Sequence, residues 1–249
     1  MQAGKKIYFA SDFHLGAPKD TKSAERERLI CKWLDEIKGD AEEIFLVGDI
    51  FDFWYEHVYT IPKGFVRLLG KIAELNDQGI KIHFFSGNHD TWMKDYFQKE
   101  IGVSVNHIPV SRTFNGKNFY IGHGDGLGPG DGWYKFLKMI FRSKVAQWLY
   151  SRIHPNLAFW LARAFSLKSR AVTGNADEKF EGAEKEWLFL YCRDFLKTNK
   201  VDFFVFGHRH LPLDLDVDGK AKYINLGDWL RYNSYAVFDG AKLELKYYK

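Results

Sequence analysis

Apolar residues recur along the chain in short blocks that each stop at a polar cluster. The blocks cover residues 7–10, 44–47, 80–85, 119–121, 203–206, 223–226, 235–238 and 243–248, and they are rich in β-branched and aromatic side chains. Blocks of this length without clean alternation predict strands buried on both faces. Between the early blocks the period lengthens. Leu29, Ile30, Trp33, Leu34 and Ile37 recur at helical spacing, and so do Phe65, Val66, Leu68, Leu69, Ile72 and Leu75. A further helix is expected over 179–198. Strands alternating with helices in this way predict an α/β sandwich, with no internal repeat and a single domain over 1–249.

Residues 132–176 break the pattern. They hold eight Lys or Arg, no Asp or Glu, and nine aromatic residues. The stretch predicts two helices separated near His154-Pro155, because proline fits a helix's first turn and disfavours helix at the residue before it. It reads as a helical cap inserted in the domain. Its charge of +8 exceeds the +4 of the whole chain, so the remainder is net acidic and the basic surface is local. That balance speaks against a long nucleic-acid track. Its apolar runs are interrupted by charge well short of the ~18 residues that a spanning helix requires. Two cysteines, Cys31 and Cys192, exclude a disulfide framework and favour a reducing compartment. The apolar run after Lys6 is too short for a signal peptide, so a cytoplasmic location is expected.

Five polar clusters follow predicted strands: Asp12-Phe13-His14, Gly48-Asp49, Gly87-Asn88-His89-Asp90, Gly122-His123-Gly124-Asp125 and Gly207-His208-Arg209-His210. In an open α/β sheet the carboxyl ends of the strands form the ligand crevice, so residues distant in sequence can converge there. Asp12 and His14, like His208 and His210, are spaced to reach one pocket from a strand end. The glycine opening each later cluster allows a tight turn and a close approach. Carboxylate, carboxamide and imidazole donors without thiolate suit divalent metals such as Mn²⁺, Fe²⁺ or Zn²⁺. Asp12, His14, Asp49, Asn88, His123, His208 and His210 are too many for one tetrahedral ion and suit a pair sharing a carboxylate. Two ions ~3.5–4 Å apart can clamp the attacking and leaving oxygens of phosphoryl transfer. Each cluster alone is an ordinary turn, but five in order, each behind an apolar strand, are not. His57, His83, His107 and His154 stand outside the pattern and are expected to be ordinary core or surface residues.

The five clusters, spread over residues 12–210, resemble the motif blocks of the calcineurin-like metallophosphoesterases. The resemblance implies a four-layer αββα sandwich. It places Asp12, His14, Asp49 and His210 on one metal, and Asp49, Asn88, His123 and His208 on a second, with Asp49 bridging. It also implies that His89 faces the scissile phosphate and that Asp90 orients His89.

Within that superfamily the chain is most similar to the UDP-2,3-diacylglucosamine pyrophosphatases of lipid A biosynthesis. The similarity runs through Asp12-Phe13-His14-Leu15-Gly16, Gly48-Asp49-Ile50-Phe51-Asp52-Phe53-Trp54, His123-Gly124-Asp125-Gly126-Leu127, Asp131 and Leu226-Gly227-Asp228-Trp229. It departs at His89, where the well-known members carry Arg. The resemblance implies cleavage of an acylated nucleotide sugar to UMP and diacylglucosamine 1-phosphate, by attack of a hydroxide held between two ions, with Mn²⁺ expected. Asp131 and Tyr134 would touch the sugar or acyl region, and Arg170, Asn175 and Lys179 the phosphate and sugar. An aromatic, basic cap fits acyl chains, a phosphate and peripheral contact with an anionic membrane surface. No stable nucleic-acid partner is expected. The alternatives are a metallophosphodiesterase or nuclease whose cap stacks on single-stranded bases, and a non-catalytic scaffold that kept the fold.

Overall fold

In the computed structural model, which describes residues 1–17, 21–128, 138–141, 143–162, 164 and 179–249, every expected block forms a strand. β1 (Lys6–Ala10), β2 (Ala41–Val47), β3 (Lys81–Phe85), β4 (Ser104–Asn106), β10 (Ser234–Phe238) and β11 (Leu243–Tyr247) make one sheet, in the order β11-β10-β1-β2-β3-β4. β5 (Val110–Phe114), β6 (Lys117–Gly122), β7 (Phe203–Phe206), β8 (Pro212–Val217) and β9 (Ala221–Leu226) make the second, in the order β5-β6-β7-β9-β8. Parallel pairing runs from β1 through β2 and β3 to the edge strand β4 in the first sheet, and through β6, β7 and β9 in the middle of the second. Antiparallel strands close the other edges.

Successive side chains of a strand point to opposite faces, and here both faces are covered. Ile7, Phe9, Phe45, Val47 and Phe85 of the first sheet pack against Phe119, Ile121, Val205, Ile224 and Leu226 of the second. The alternate positions Tyr8, Ala10, Ile44, Leu46 and Phe84 pack under α1 (Thr21–Ile37) and α2 (Val66–Asp77). On the far side Phe204, Phe206 and Tyr223 meet Leu188, Phe189 and Cys192 of the helix Trp187–Phe195. The layers run helix, sheet, sheet, helix.

Three strands, β4, β5 and β8, fall outside the expected blocks. β5 is mostly exposed, and β8 alternates, with Leu213 and Val217 buried and Asp214 and Asp216 exposed. Their hairpins turn at Asn115-Gly116 and Asp218-Gly219, where both central residues have positive φ, the geometry that suits the right-handed twist of paired strands. β11 is a strand but not a doubly buried one, because it lies at the sheet edge with Glu244, Lys246 and Tyr247 turned outward. The helix expected over 179–198 is shorter: a 3-10 turn at Ala183–Lys185 precedes Trp187–Phe195, and Glu186 between them is extended (φ −80°, ψ 102°). The buried Glu186 carboxylate lies 3.1 Å from Arg209 Nε through each oxygen, a charge pair that the extended residue accommodates.

Two long-range contacts frame the site. Arg26 of α1 donates through Nε to Phe13 O (2.7 Å) and through Nη2 to His14 O (2.8 Å), fixing the loop after β1. Glu27 accepts from Arg67 N (2.9 Å) and Leu68 N (3.1 Å), capping α2 where Phe65 offers no side-chain cap.

In the described part of the cap the helix Lys144–Ser151 is followed by helical residues 155–162, so the break falls at His154-Pro155 as expected. The cap sits on aromatic residues after β2 and β3. Tyr150 lies 4.8 Å from Tyr55 and 4.6 Å from Trp92, ring to ring, and Phe159 meets Phe53 edge-on at 5.2 Å. Tyr55 Oη donates to Gln147 O (3.0 Å) and Trp92 Nε1 to Phe141 O (2.7 Å). Among the described residues no helix is long and apolar enough to cross a membrane.

Candidate metal centre

The carboxyl ends of the parallel strands open into one crevice, and all seven candidate ligands lie there. Asp12 and His14 follow β1, Asp49 follows β2, Asn88 follows β3, His123 follows β6, and His208 and His210 follow β7. Backbone bonds lash the loops together: Asp12 N donates to Gly48 O (3.0 Å), His14 N to Asp49 O (2.9 Å), and Gly207 N to His123 O (3.0 Å).

Each carboxylate has one oxygen tied down and one left bare. Asp12 Oδ2 accepts from His208 N (3.0 Å), and Asp49 Oδ1 from His89 N (2.8 Å). Asp12 Oδ1 and Asp49 Oδ2 are buried and accept no hydrogen bond. Imidazoles surround them instead. His210 Nε2 is 3.4 Å and His14 Nε2 3.7 Å from Asp12 Oδ1, while His123 Nε2 is 3.3 Å and His14 Nε2 3.9 Å from Asp49 Oδ2. Asn88 Oδ1 completes the ring, 2.8 Å from His208 Nδ1 and 3.1 Å from His123 Nε2. Two groups could each hold an ion, Asp12–His14–His210 and Asp49–His123–His208, and a third, His14–Asp49–His89, links them.

Tautomer logic makes the cluster a cation site. Val47 O can only accept, so His123 Nδ1, 3.0 Å away, carries the hydrogen. His123 Nε2 is therefore the atom turned toward Asn88 Oδ1 and Asp49 Oδ2, both acceptors. A proton or a metal ion must stand between them. Burial works to lower the His123 pKa, yet Asp49, with Asp12 and Asp125, holds it up at about 10. Burial would raise Asp12 and Asp49, but the imidazoles hold both below the usual carboxylate range. His208 and His89 are pushed down to about 4, chiefly by burial. Two buried oxygens without donors, ringed by imidazole and carboxamide, fit a pair of divalent ions.

The backbone is bent to achieve this. Asp12, His14, Asp49, His208 and His210 all have positive φ, between 44° and 70°. Such values are uncommon for residues with a side chain and mark places where surrounding structure enforces the conformation. Glycine is needed at Gly48 for its φ of 84°, and at Gly87 because a Cβ there would collide with the Asp49 carboxylate.

Asp90 is placed differently from its expected position as the partner of His89. Its buried carboxylate accepts from Gly87 N (2.7 Å), Asp49 N (3.3 Å), Ile50 N (2.8 Å) and Phe51 N (3.3 Å), so it holds the loop that carries Asp49. Burial and the Asp49 charge push its pKa up to about 7. The neighbour of His89 is Asp52: His89 Nδ1 lies 3.1 Å from its carbonyl and 3.5 Å from Oδ1. Asp52 Oδ1 also lies 3.7 Å from His14 Nδ1, and Asp228 Oδ2 lies 3.4 Å from His210 Nδ1. Carboxylates behind ring nitrogens are the usual way to fix imidazole orientation. The motif spacing gave Asp52 and Asp228 no role, since both act across loops.

Asp131, Tyr134, Arg170 and Asn175 lie outside the described residues, and Lys179 is exposed. Of the histidines left outside the pattern, His83 pairs with Glu43 (2.8 Å) and His107 with Ser86 Oγ (3.0 Å).

The family model described as calcineurin-like phosphoesterase matches residues 5–212. A UDP-2,3-diacylglucosamine hydrolase from Porphyromonas gingivalis is 40% identical, covering 97% of this chain and 97% of that protein. One of the same name from Aeromonas hydrophila is 26% identical, covering 91% of each. A solved structure of a dimetal phosphatase from Danio rerio is 12% identical with a TM-score of 0.49, covering 99% of this chain and 96% of that one.

Proposed function

The chain belongs to the calcineurin-like phosphoesterase family, whose chemistry depends on divalent metal, and from that premise we propose that it hydrolyses UDP-2,3-diacylglucosamine to UMP and 2,3-diacylglucosamine 1-phosphate. The observation that carries the substrate is identity of 40% along nearly the whole chain to a relative named for that hydrolysis. In this reading Asp12, His14, Asp49 and His210 hold one ion and Asp49, Asn88, His123 and His208 the other, with Asp49 shared. The bare oxygens of Asp12 and Asp49 support that division. The mixed oxygen and nitrogen donors suit Mn²⁺. When bound, the ions supply Lewis acidity and a water that is nucleophilic at neutral pH.

The chain's own residues do the rest. Asp52 holds His89 through Nδ1, which leaves Nε2 as its free ring nitrogen. A phosphate arriving beside Nε2 favours the protonated ring, which then donates to the developing charge or to the leaving oxygen. Asp90, by gripping four backbone amides, keeps the Asp49 loop in its strained form. Asp131 and Tyr134 are assigned to the sugar or acyl region, Arg170, Asn175 and Lys179 to the phosphate and sugar, and the cap to the acyl chains. Exposed Trp148 (55%), Leu149, Leu157 and Trp160 (64%), with Lys144 and Arg152 among them, support peripheral contact with the cytoplasmic face of an anionic membrane.

The test is a product assay with metal-loaded protein on UDP-2,3-diacylglucosamine, UDP-glucosamine and single-stranded DNA. Release of UMP and the acylated sugar phosphate, with preference for the diacylated substrate, is expected. Equal rates on UDP-glucosamine, or faster cleavage of DNA, would overturn the assignment.

A further inference from the structure

A cavity of about 180 Å³ opens beside the metal centre, lined by Ser86, Asn106, Ile108, Pro109, His123 and Leu127 among others. It shares His123 with the centre but not the aromatic seat of the cap. The His123 ring approaches Asp49 at Oδ2, whereas the backbone N–H of His89, whose ring lies beside Asp52, donates to Asp49 Oδ1. The centre therefore has two distinct flanks. A pyrophosphate joining two unlike halves must send each half along its own flank.

We infer that this cavity receives the nucleoside half of the substrate, which leaves the cap flank to the acylated sugar. The inference rests on the reading that the substrate is a UDP-sugar.

Size separates the candidates. At ~15 Å³ per water-sized group the cavity holds about a dozen groups, enough for a nucleobase and part of a ribose but not for a pair of acyl chains. Its walls match a flat ring with polar edges: Ile108, Pro109 and Leu127 offer apolar faces, and Ser86 and Asn106 offer polar atoms. Asn106 Nδ2 is committed to Phe84 O (3.2 Å), which fixes the amide and leaves Oδ1 to accept, as the single N–H of a uracil ring requires. The rim is closed from the cap side by Lys138, whose Nζ lies 2.5 Å from Asp125 Oδ2 and donates to Asp125 O (2.8 Å).

The experiment is calorimetric titration of metal-loaded protein with UMP and, separately, with inorganic phosphate, for wild type, Asn106→Leu and Ile108→Trp. Ile108 is 66% exposed, so its replacement leaves the core intact and keeps the test open should Asn106→Leu fold poorly. In both variants the UMP Kd is expected to rise at least about tenfold, while the phosphate Kd shifts less than about twofold. Unchanged UMP affinity in Ile108→Trp overturns the cavity assignment even if wild type cleaves the acylated UDP-sugar. An equal loss of phosphate affinity overturns it as well, because the effect is then not nucleoside-specific. A wild type that cleaves no UDP-sugar and binds no UMP overturns the functional reading and this inference together.

Discussion

Among the described residues nine with side chains have positive φ; five of them are candidate ligands of the centre, and none lies in cap residues 138–164. The centre is built from strained backbone, buried carboxylates with one oxygen tied down and one left bare, and imidazoles gathered around the bare oxygens. The cap is built from aromatic faces, a few bonds to backbone carbonyls and much exposed apolar surface, Met139, Val145, Trp148 and Trp160 included. Left-handed backbone costs roughly 1 kcal/mol or more per residue, so a fold keeps it only where position matters more than stability. Aromatic contacts are worth less individually and tolerate exchange. In the proposed reading the contrast separates the chemistry, which needs atoms fixed to tenths of an ångström, from substrate choice, which needs a surface.

That contrast can be broken first at the ligands. Asn88→Ala or His123→Ala should reduce turnover about a thousandfold, since metal-ion catalysis supplies several kcal/mol. The melting temperature should barely move, and metal content measured on the purified variants should fall. Activity within tenfold of wild type would show that the centre does not depend on these atoms. A step further out, Asp52→Asn keeps the shape but weakens the hold on His89 and His14. It should lower kcat by about 10- to 100-fold with the metals retained, and loss of metal instead would recast Asp52 as a structural support.

The cap should respond in KM. Phe53→Ala removes the ring that meets Phe159 and Tyr150 and should raise KM for the diacylated substrate by about tenfold with a smaller change in kcat. A pure kcat defect would erase the division between the two regions. The smallest effect belongs to a control remote from both. Burial works to raise the Glu43 pKa, but the His83 hydrogen bond and charge outweigh it and hold it below its ordinary value. A depressed carboxylate pKa contributes stability above the unfolded value near 4.5, and that contribution disappears as pH falls through the folded value. Glu43→Gln should therefore cost under about 1 kcal/mol at pH 7, read from urea midpoints, and converge with wild type in acid.

The strands of the parallel sheet interiors were legible because burial on both faces leaves an unbroken apolar block, as in residues 203–206 of β7. β5 and β8 were not, because an edge strand shows water one face, although Asn115-Gly116 and Asp218-Gly219 announced their turns. The chain also left its expected helix at Glu186, whose extended backbone places its carboxylate against Arg209, some twenty residues ahead.

By themselves the amino acids determined which groups could bind metal, since glycine, aspartate, asparagine and histidine behind apolar blocks is a local pattern of donor chemistry and turn geometry. What stands behind each imidazole was decided only by folding: Asp52 at His89, Asp228 at His210, and Asp90 turned to the backbone. Orientation comes from contacts between separate loops, and those exist only once two sheets have stacked and brought their strand ends to one crevice.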